Sequence, residues 1–237
     1  MKKRLKRSEK EEILRIVAEE NALEGTRYGS PLDGDAFLTV PSGNDPEKLS
    51  AFAAAFLLGE TSGGLPVTEV MLFTDRESRR KGLATRILQK LRKPDTVLKF
   101  AEYPSPSGDG FLQEAGAGHL YDELCMTLSL TERKGESEVL SETVGDPADG
   151  CRRFYSTHSE LYVNRLGETA YLFGVRTDRA HMGKGHAKSL LSAVLCKLSQ
   201  EGVTEVTLQV SGRNLPALRL YETLGFTVSE KLGMWYL

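Results

Sequence analysis

The chain carries no excess of either charge, no long apolar run, few cysteines and none of the fixed-spacing glycine loops that bind nucleotides. Each absence removes a class of function. Lys and Arg number 31 against 33 Asp and Glu, a formal net charge of −2, so the basic excess of nucleic-acid binders is missing and no nucleic-acid partner is expected. The longest apolar stretch, residues 49–58, is about half of what a membrane-spanning helix needs, and no membrane partner is expected. Three cysteines, Cys125, Cys151 and Cys196, are odd in number and widely spaced. They make neither a disulfide framework nor a metal cluster, so no metal is expected and a reducing cytoplasm is the expected location. The N-terminus is basic but has no apolar core after it, unlike a secretory leader. Neither G-x-G-x-x-G nor G-x-x-x-x-G-K-[ST] occurs, which disfavours a dinucleotide oxidoreductase or a kinase-like nucleotide binder. What is present, 40% hydrophobic and 27% charged residues over 237 positions, suits a soluble globular protein of one large domain or two compact halves.

An internal repeat decides between these. Thr74-Asp-Arg-Glu-Ser-Arg-Arg-Lys-Gly-Leu-Ala84 aligns with Thr177-Asp-Arg-Ala-His-Met-Gly-Lys-Gly-His-Ala187 at a shift of 103 residues, with six of eleven positions identical. A self-match of this kind must be read before any local assignment. The surroundings repeat as well. Strand-like runs at 67–73 and 169–175 precede the two segments. Amphipathic helices follow them, one with Leu83, Ala84, Ile87, Leu88 and Leu91 on its apolar stripe, the other with Ala187, Leu190, Leu191, Val194, Leu195 and Leu198. Further strands are expected at 96–100 and 203–210. The reading is an α/β chain with a mixed α+β sheet, made of two halves, residues 1–130 and 131–237, divided at the polar stretch 131–137.

The remaining elements are coarser. Residues 8–23 read as an opening helix with Ser8 as N-cap and Glu11 closing a capping box. Residues 37–40 read as a strand; 51–58 fit a strand or a short buried helix. Residues 104–110, rich in proline, serine and glycine, read as a turn or loop. Residues 152–163 read as one or two strands.

The turn between strand and helix carries the chemistry. Gly183-Lys-Gly185 precedes a helix, whose first N–H groups are unpaired and lie at the positive end of the dipole. Glycine there allows positive φ and close approach of an anion. Downstream, Asn214, Ala217, Tyr221, Gly225 and Phe226 stand at the spacing N-x-x-A-x-x-x-Y-x-x-x-G-F. Together with M-G-K-G-H-A at 182–187, this resembles the GNAT superfamily of acyl-CoA N-acyltransferases, whose phosphate motif is Q/R-x-x-G-x-G/A. Gly185 and Ala187 match that motif, while Met182 stands where Gln or Arg is usual.

The resemblance implies acetyl-CoA as co-substrate. Its pyrophosphate is expected on the amides of Met182, Gly183, Lys184, Gly185, His186 and Ala187. The pantetheine arm is expected along the strand edge at Phe173, Gly174 and Val175, with Asn214, Ala217 and Tyr221 near the acyl end. Because such a turn captures phosphate through backbone N–H groups, the change at Met182 leaves the site in place. Transfer of an acyl group from a thioester to an amine needs a neutral amine, a polarised carbonyl and a proton for the departing thiolate. Tyr221 suits the last task; a packed core tyrosine is the alternative. Glu160, Glu168 and His158 are the candidates for a base, Glu168 first among them, and a water-mediated route leaves no side chain necessary. Cys196 reads as a packed thiol.

The first half keeps the phosphate motif in full as Arg79, Gly82 and Ala84. Aligning Gly116 with Gly225 nevertheless sets Leu112 over Tyr221 and Ser105 over Asn214. The first half is therefore expected to have lost its chemistry, and the resemblance to tandem GNAT proteins implies a catalytic C-terminal half. The expected function is N-acetyl transfer to a primary amine, on a small molecule or a peptide, by a monomer or homodimer. A non-catalytic acyl-CoA-binding or sensing protein on the same fold is the alternative.

Overall fold

A computed structural model describes residues 1–43, 45–130 and 151–237, and the backbone of 141–144. The polar stretch 131–137, chosen as a boundary, lies outside the described residues. In chain order the elements are α1 (Arg7–Glu24), β1 (Ala36–Pro41), β2 (Leu49–Glu60), β3 (Pro66–Thr74), α2 (Leu83–Leu91), β4 (Val97–Glu102), α3 (Pro106–Glu114), β5 (Gly118–Ser129) and β6 (Ser141–Val144). Then come β7 (Cys151–Tyr155), β8 (Ser159–Leu166), β9 (Thr169–Thr177), α4 (His186–Gln200), β10 (Glu205–Ser211), α5 (Leu215–Thr223) and β11 (Thr227–Tyr236). Single 3-10 turns, Arg76–Ser78 and Arg179–His181, follow β3 and β9. The fold is a mixed α/β one, as the sequence indicates.

The chain forms two compact units, Met1–Tyr121 with Leu232–Leu237, and Asp122–Lys231. In the first, β1, β2 and β3 are antiparallel neighbours, β4 lies parallel to β3, and β4 pairs antiparallel with Gly233–Tyr236 of β11. Ala51, Phe52, Ala53 and Ala54 on β2 are fully buried, which explains why this strand reads as a continuous apolar run and resolves its helix–strand ambiguity. Its small side chains pack under α2, while Phe52 stacks on Phe73 beside Ile13, Ile16 and Val17 of α1.

In the second unit β6, β7, β8 and β9 are antiparallel neighbours, β10 lies parallel to β9, and β10 pairs antiparallel with β5. Phe154, Leu161, Val163, Leu172, Leu191, Val194, Leu195 and Leu198 form its fully buried centre. Residues 152–163 are thus two strands joined by a short turn. The last strand of each unit comes from the other part of the sequence: Leu232–Leu237 close the first, and Asp122–Ser129 of β5 lie in the second. The two compact units divide at Tyr121 and Lys231. Backbone pairing of these strands is nonlocal, and no composition change marks it.

Two local expectations are corrected. The opening helix is capped at Lys6, not Ser8: the Glu9 carboxylate accepts the Lys6 amide at 2.9 Å and also pairs with the Lys2 ammonium. The Lys2 contact lies outside the helix and is invisible to a local capping rule. The segment 104–110 is not a loop throughout, since α3 begins at Pro106 with Ser105 as N-cap, its hydroxyl accepting the Gly108 amide at 3.0 Å. Proline at the first helical position and a serine cap are start signals that outweigh the two glycines. Among the described residues no helix is long and apolar enough to cross a membrane, a statement about helices alone.

The repeat extends to hydrogen bonds. The bounds of β3 and β9, of the two 3-10 turns and of the starts of α2 and α4 differ by the same 103 residues. In α3 the Ala117 and Gly116 amides bond to the Leu112 and Gln113 carbonyls; in α5 the Phe226 and Gly225 amides bond to those of Tyr221 and Glu222. The left-handed residue found at Gly183 in one turn is Arg80 in the other, at φ 62°. A side chain there costs about 1–2 kcal/mol. Arg80→Gly is expected to raise unfolding stability by about 1 kcal/mol in a denaturant titration, and no gain would show that the arginine side chain holds the turn by other contacts.

Candidate active site

The site is built on the divergence of two parallel strands. Residues Glu205, Val206, Thr207 and Leu208 of β10 pair with Thr169, Ala170, Tyr171 and Leu172 of β9, and there the ladder stops, although β9 continues to Thr177 and β10 to Ser211. Phe173, Gly174 and Val175 thus face an open wedge with backbone groups that β10 does not use. Gly174 sits at φ 63° on this stretch, and a Cβ on it would lie 2.8 Å from the Tyr162 ring. Both the dihedral and the packing require glycine here. The register shift of β8 against β9 between Glu160 and Tyr162 marks the accompanying bulge, a device that bends a strand and re-aims its edge.

Beyond β9 the chain passes the 3-10 turn and reaches α4, whose N-cap Gly185 is left-handed at φ 86° and supplies no side-chain cap. Gly183 is also left-handed, at φ 73°, and the space over both glycines is open. Ser189 bonds to the Gly185 carbonyl, but the amides of Met182, Gly183, Lys184, Gly185, His186 and Ala187 donate to nothing among the described residues. Lys184 folds back to the Ala180 carbonyl at 3.0 Å. Met182 is 62% exposed and contributes only its backbone to the turn. A ring of unused N–H groups at a helix start, over glycines with free space, matches the geometry for a phosphate.

Tyr221, on α5, lies inside the core of the second unit, edge-on to Phe226 with ring centroids 5.8 Å apart. Burial pushes its phenol up from the ordinary value, so it stays protonated, and its hydroxyl has no hydrogen-bond partner among the described residues. Asn214 caps α5, its side chain accepting the Ala217 amide at 3.3 Å. Cys196 is buried at 4% exposure on α4.

Glu168 is not brought to this group. It is an exposed residue of the tight turn between β8 and β9, and its carbonyl receives the Thr204 amide. Eight strand residues separate it from the far end of β9, on the order of 25 Å. Glu160 is unsuited to act as a base for another reason. Arg153 and Arg176 both bond to its carboxylate, at 2.6 and 2.8 Å, and hold it below the usual carboxylate range. These three residues, with Ser156, His158 and Asp178, line a cleft of about 440 Å³ at the C-terminal end of β9. His158 lies there in a histidine cluster that the sequence spacing does not announce, because its members come from the β7–β8 turn and from the segment after β9.

In the first unit the same ladder stops at the equivalent pair, Glu69 with Lys99. There a side chain of the chain itself lies at the strand ends. Tyr28 donates to Glu102 at 2.6 Å, accepts the Tyr103 amide at 3.1 Å and packs edge-on against Phe73 and Tyr103. Arg79 forms an ion pair with Glu20, and Leu112 is buried at 2% exposure.

Residues 150–226 match the family described as "Acetyltransferase (GNAT) family". The mycothiol acetyltransferase of Brachybacterium faecium is 45% identical over 62 residues, 26% of this chain and 19% of that protein. The mycothiol acetyltransferase of a Nocardioides species is 30% identical over 160 residues, 60% of this chain and 54% of that protein. The chain thus spans little more than half of the second relative and about a fifth of the first. A tandem GNAT protein from the clavulanic acid biosynthesis pathway superimposes with a TM-score of 0.59 at 15% identity, covering 97% of this chain and 96% of that one. Residues 150–226 thus match the GNAT acetyltransferase family, and nearly the whole chain shares the fold of a solved tandem GNAT protein.

Proposed function

We propose that this chain is an N-acetyltransferase that moves the acetyl group of acetyl-CoA to a primary amine by direct attack, with the second of two GNAT-like halves, residues 131–237, carrying the chemistry. The observation that supports it best is the pairing of an unused amide ring at 182–187 with an open strand edge at 173–175 in one unit. The first binds a pyrophosphate through backbone donors, the second an amide-bearing arm through strand-like hydrogen bonds. Acetyl-CoA, when bound, supplies the acyl group already activated as a thioester. Tyr221 holds its proton at Oη and is the group to give it to the departing thiolate. Asn214 orders the start of α5 and Ala217 lies beside it, so both act by placing Tyr221 rather than by taking part in proton transfer.

Glu168 does not serve as the base in this reading. Its place on the remote turn, and the clamped state of Glu160, favour deprotonation of the amine through solvent. In the first half, Tyr28 fills the divergence, Arg79 is held by Glu20 and the position of Tyr221 is Leu112, a combination that supports a structural role there. With relatives named both for mycothiol and for a ribosomal-protein alanine, the acceptor in this reading is a primary amine on a small molecule or a peptide.

Gly185→Glu tests the cofactor site. Glutamate places a negative side chain over the amide ring at a position that requires positive φ. The dissociation constant for acetyl-CoA is expected to rise well over tenfold by calorimetry, about 1.4 kcal/mol or more. Unchanged affinity in a folded variant would remove the amide ring from the site.

A further inference from the structure

Three of the four histidines in the chain meet in the second unit. His158 lies in the turn between β7 and β8, His181 closes the 3-10 turn after β9, and His186 opens α4. The rings of His158 and His181 lie parallel, 3.5 Å between centroids and 8° between planes; that of His186 stands 4.9 Å from His158, steeply inclined to it. Asp178 completes the group, its carboxylate 3.3 Å from His158 Nδ1. One donor atom from each of His158, Asp178 and His181 lies within 4.8 Å of the others. We propose that these three residues bind a divalent transition-metal ion of the zinc class.

Four observations carry the assignment. First, a parallel face-to-face overlay is the arrangement that aromatic rings disfavour relative to offset or edge-on contact. A cation shared at the ring edges accounts for it. Second, Nδ1 of His181 is buried and has no hydrogen-bond partner, and a polar atom so placed calls for a ligand or an ion. Third, Asp178 is free of the task its counterpart performs. Asp75 in the first unit caps its 3-10 turn by accepting the Glu77 amide and also pairs with Arg15, whereas the Asp178 side chain makes no cap. In the first unit Ser78 and Leu83 stand where His181 and His186 do, so the donor set belongs to the second unit alone. Fourth, the distances are within reach. Tetrahedral zinc with bonds of ~2.0–2.1 Å needs donors roughly 3.3 Å apart. Side chains as exposed as His158 (28%) and Asp178 (63%) close the gap by rotation.

Two imidazoles and one carboxylate suit Zn²⁺, Co²⁺ or Ni²⁺, and leave a fourth position to water from the adjoining cleft. Oxygen-seeking Mg²⁺ and Ca²⁺ do not fit such a set. The ligands are separated by 20 and 3 residues in sequence, a spacing without a motif. The proposal is independent of the acetyltransferase reading, because it concerns the ion and these side chains only.

The test uses the full chain after chelator treatment, titrated with Zn²⁺ by calorimetry and with Co²⁺ by visible absorption. One saturable site per chain in the micromolar range or tighter is expected, with Co²⁺ showing ligand-field bands and no thiolate charge-transfer band. His158→Ala and His181→Ala are each expected to weaken binding at least tenfold, while His119→Ala, in the other unit, leaves it unchanged. If an alanine variant fails to fold by circular dichroism, Asp178→Asn at the exposed ligand gives the same reading. Mg²⁺ is expected not to compete. Absence of saturable Zn²⁺ binding, thiolate bands with Co²⁺, or affinity indifferent to His158, Asp178 and His181 would overturn the assignment.

Discussion

Tyr221→Phe is expected to bind acetyl-CoA as the unchanged chain does and to turn it over roughly 10²-fold more slowly, the usual scale for loss of a positioned general acid. The substitution keeps the ring in its place against Phe226 and removes only the hydroxyl. That hydroxyl has no partner among the described residues, so its loss leaves no protein group unsatisfied and the fold should scarcely change. Burial raises the phenol's pKa, which keeps the proton on oxygen at neutral pH while leaving it available to a thiolate formed in the same dry surroundings. Retained binding with lost rate is the pattern of a group that acts in the transition state. A tyrosine that merely fills the core would give the opposite result, turnover nearly intact. Steady-state kinetics with an amine that the unchanged chain acetylates, alongside calorimetry for acetyl-CoA, separates the two. If the unchanged chain binds acetyl-CoA but acetylates no amine in a broad panel, a binding or sensing role replaces the enzymatic one.

Glu102→Gln is expected to stabilise the protein at pH 8 and to leave it little changed near pH 4.5. The Glu102 carboxyl is enclosed at the end of β4, and burial pushes its pKa up to about 7, with Asp109 and Glu20 adding to the rise and the hydrogen bond from Tyr28 opposing it. Tyr28 is itself pushed well up by burial and by that carboxylate and remains a donor throughout. Between the unfolded value near 4.5 and about 7, the folded chain holds a proton that the unfolded chain has released. Stability from this group is therefore complete below the unfolded value and falls as pH rises through the folded one. The loss amounts to about 2–3 kcal/mol after allowance for partial exposure of the residue. Glutamine carries no charge at any pH, and its carbonyl oxygen still accepts from Tyr28. Urea titrations of both forms at pH 4.5, 6 and 8 should diverge progressively with pH. Parallel curves would mean that solvent reaches the Glu102 carboxylate. Glu9 and Glu12, whose pKa values are lowered, contribute the reverse trend to both forms and cancel in the comparison.

Much of this protein was legible from residue order alone, and the reason is that the legible parts are local. Apolar residues at helical spacing set α2 and α4, and the repeat located β3 and β9 to within two residues at either end, because period and turn chemistry act over a few neighbouring positions. The glycine turn was readable for the same reason: Gly183 and Gly185 are needed where φ is positive, and no other residue meets that need as cheaply. The start of α3 was present too, in Ser105 and Pro106, but glycines at 108 and 110 obscured it. What escaped depends on contacts between distant segments. Lys2 reaching Glu9 moved the cap of α1 to Lys6. The remote position of Glu168 follows from strand direction, which a residue's nearness in sequence to β9 does not convey. The meeting of His158, Asp178 and His181 required β8 to lie antiparallel to β9 and bring the β7–β8 turn to the start of α4.

The sequence by itself determined most element types, the doubled strand–turn–helix unit and the glycine turn before α4, since each is decided by backbone preferences and apolar periodicity within one or two turns of chain. Only the tertiary structure decided that the ladder between β9 and β10 ends at Leu172 and Leu208, that Tyr28 fills the equivalent space in the first unit, and that Leu232–Leu237 and Asp122–Ser129 complete units other than those their sequence positions suggest. Those outcomes rest on which strand edges find partners and which side chains reach across folded distance. Such pairings are settled by burial and hydrogen-bond satisfaction summed over the whole unit, and no short stretch of residues encodes that sum.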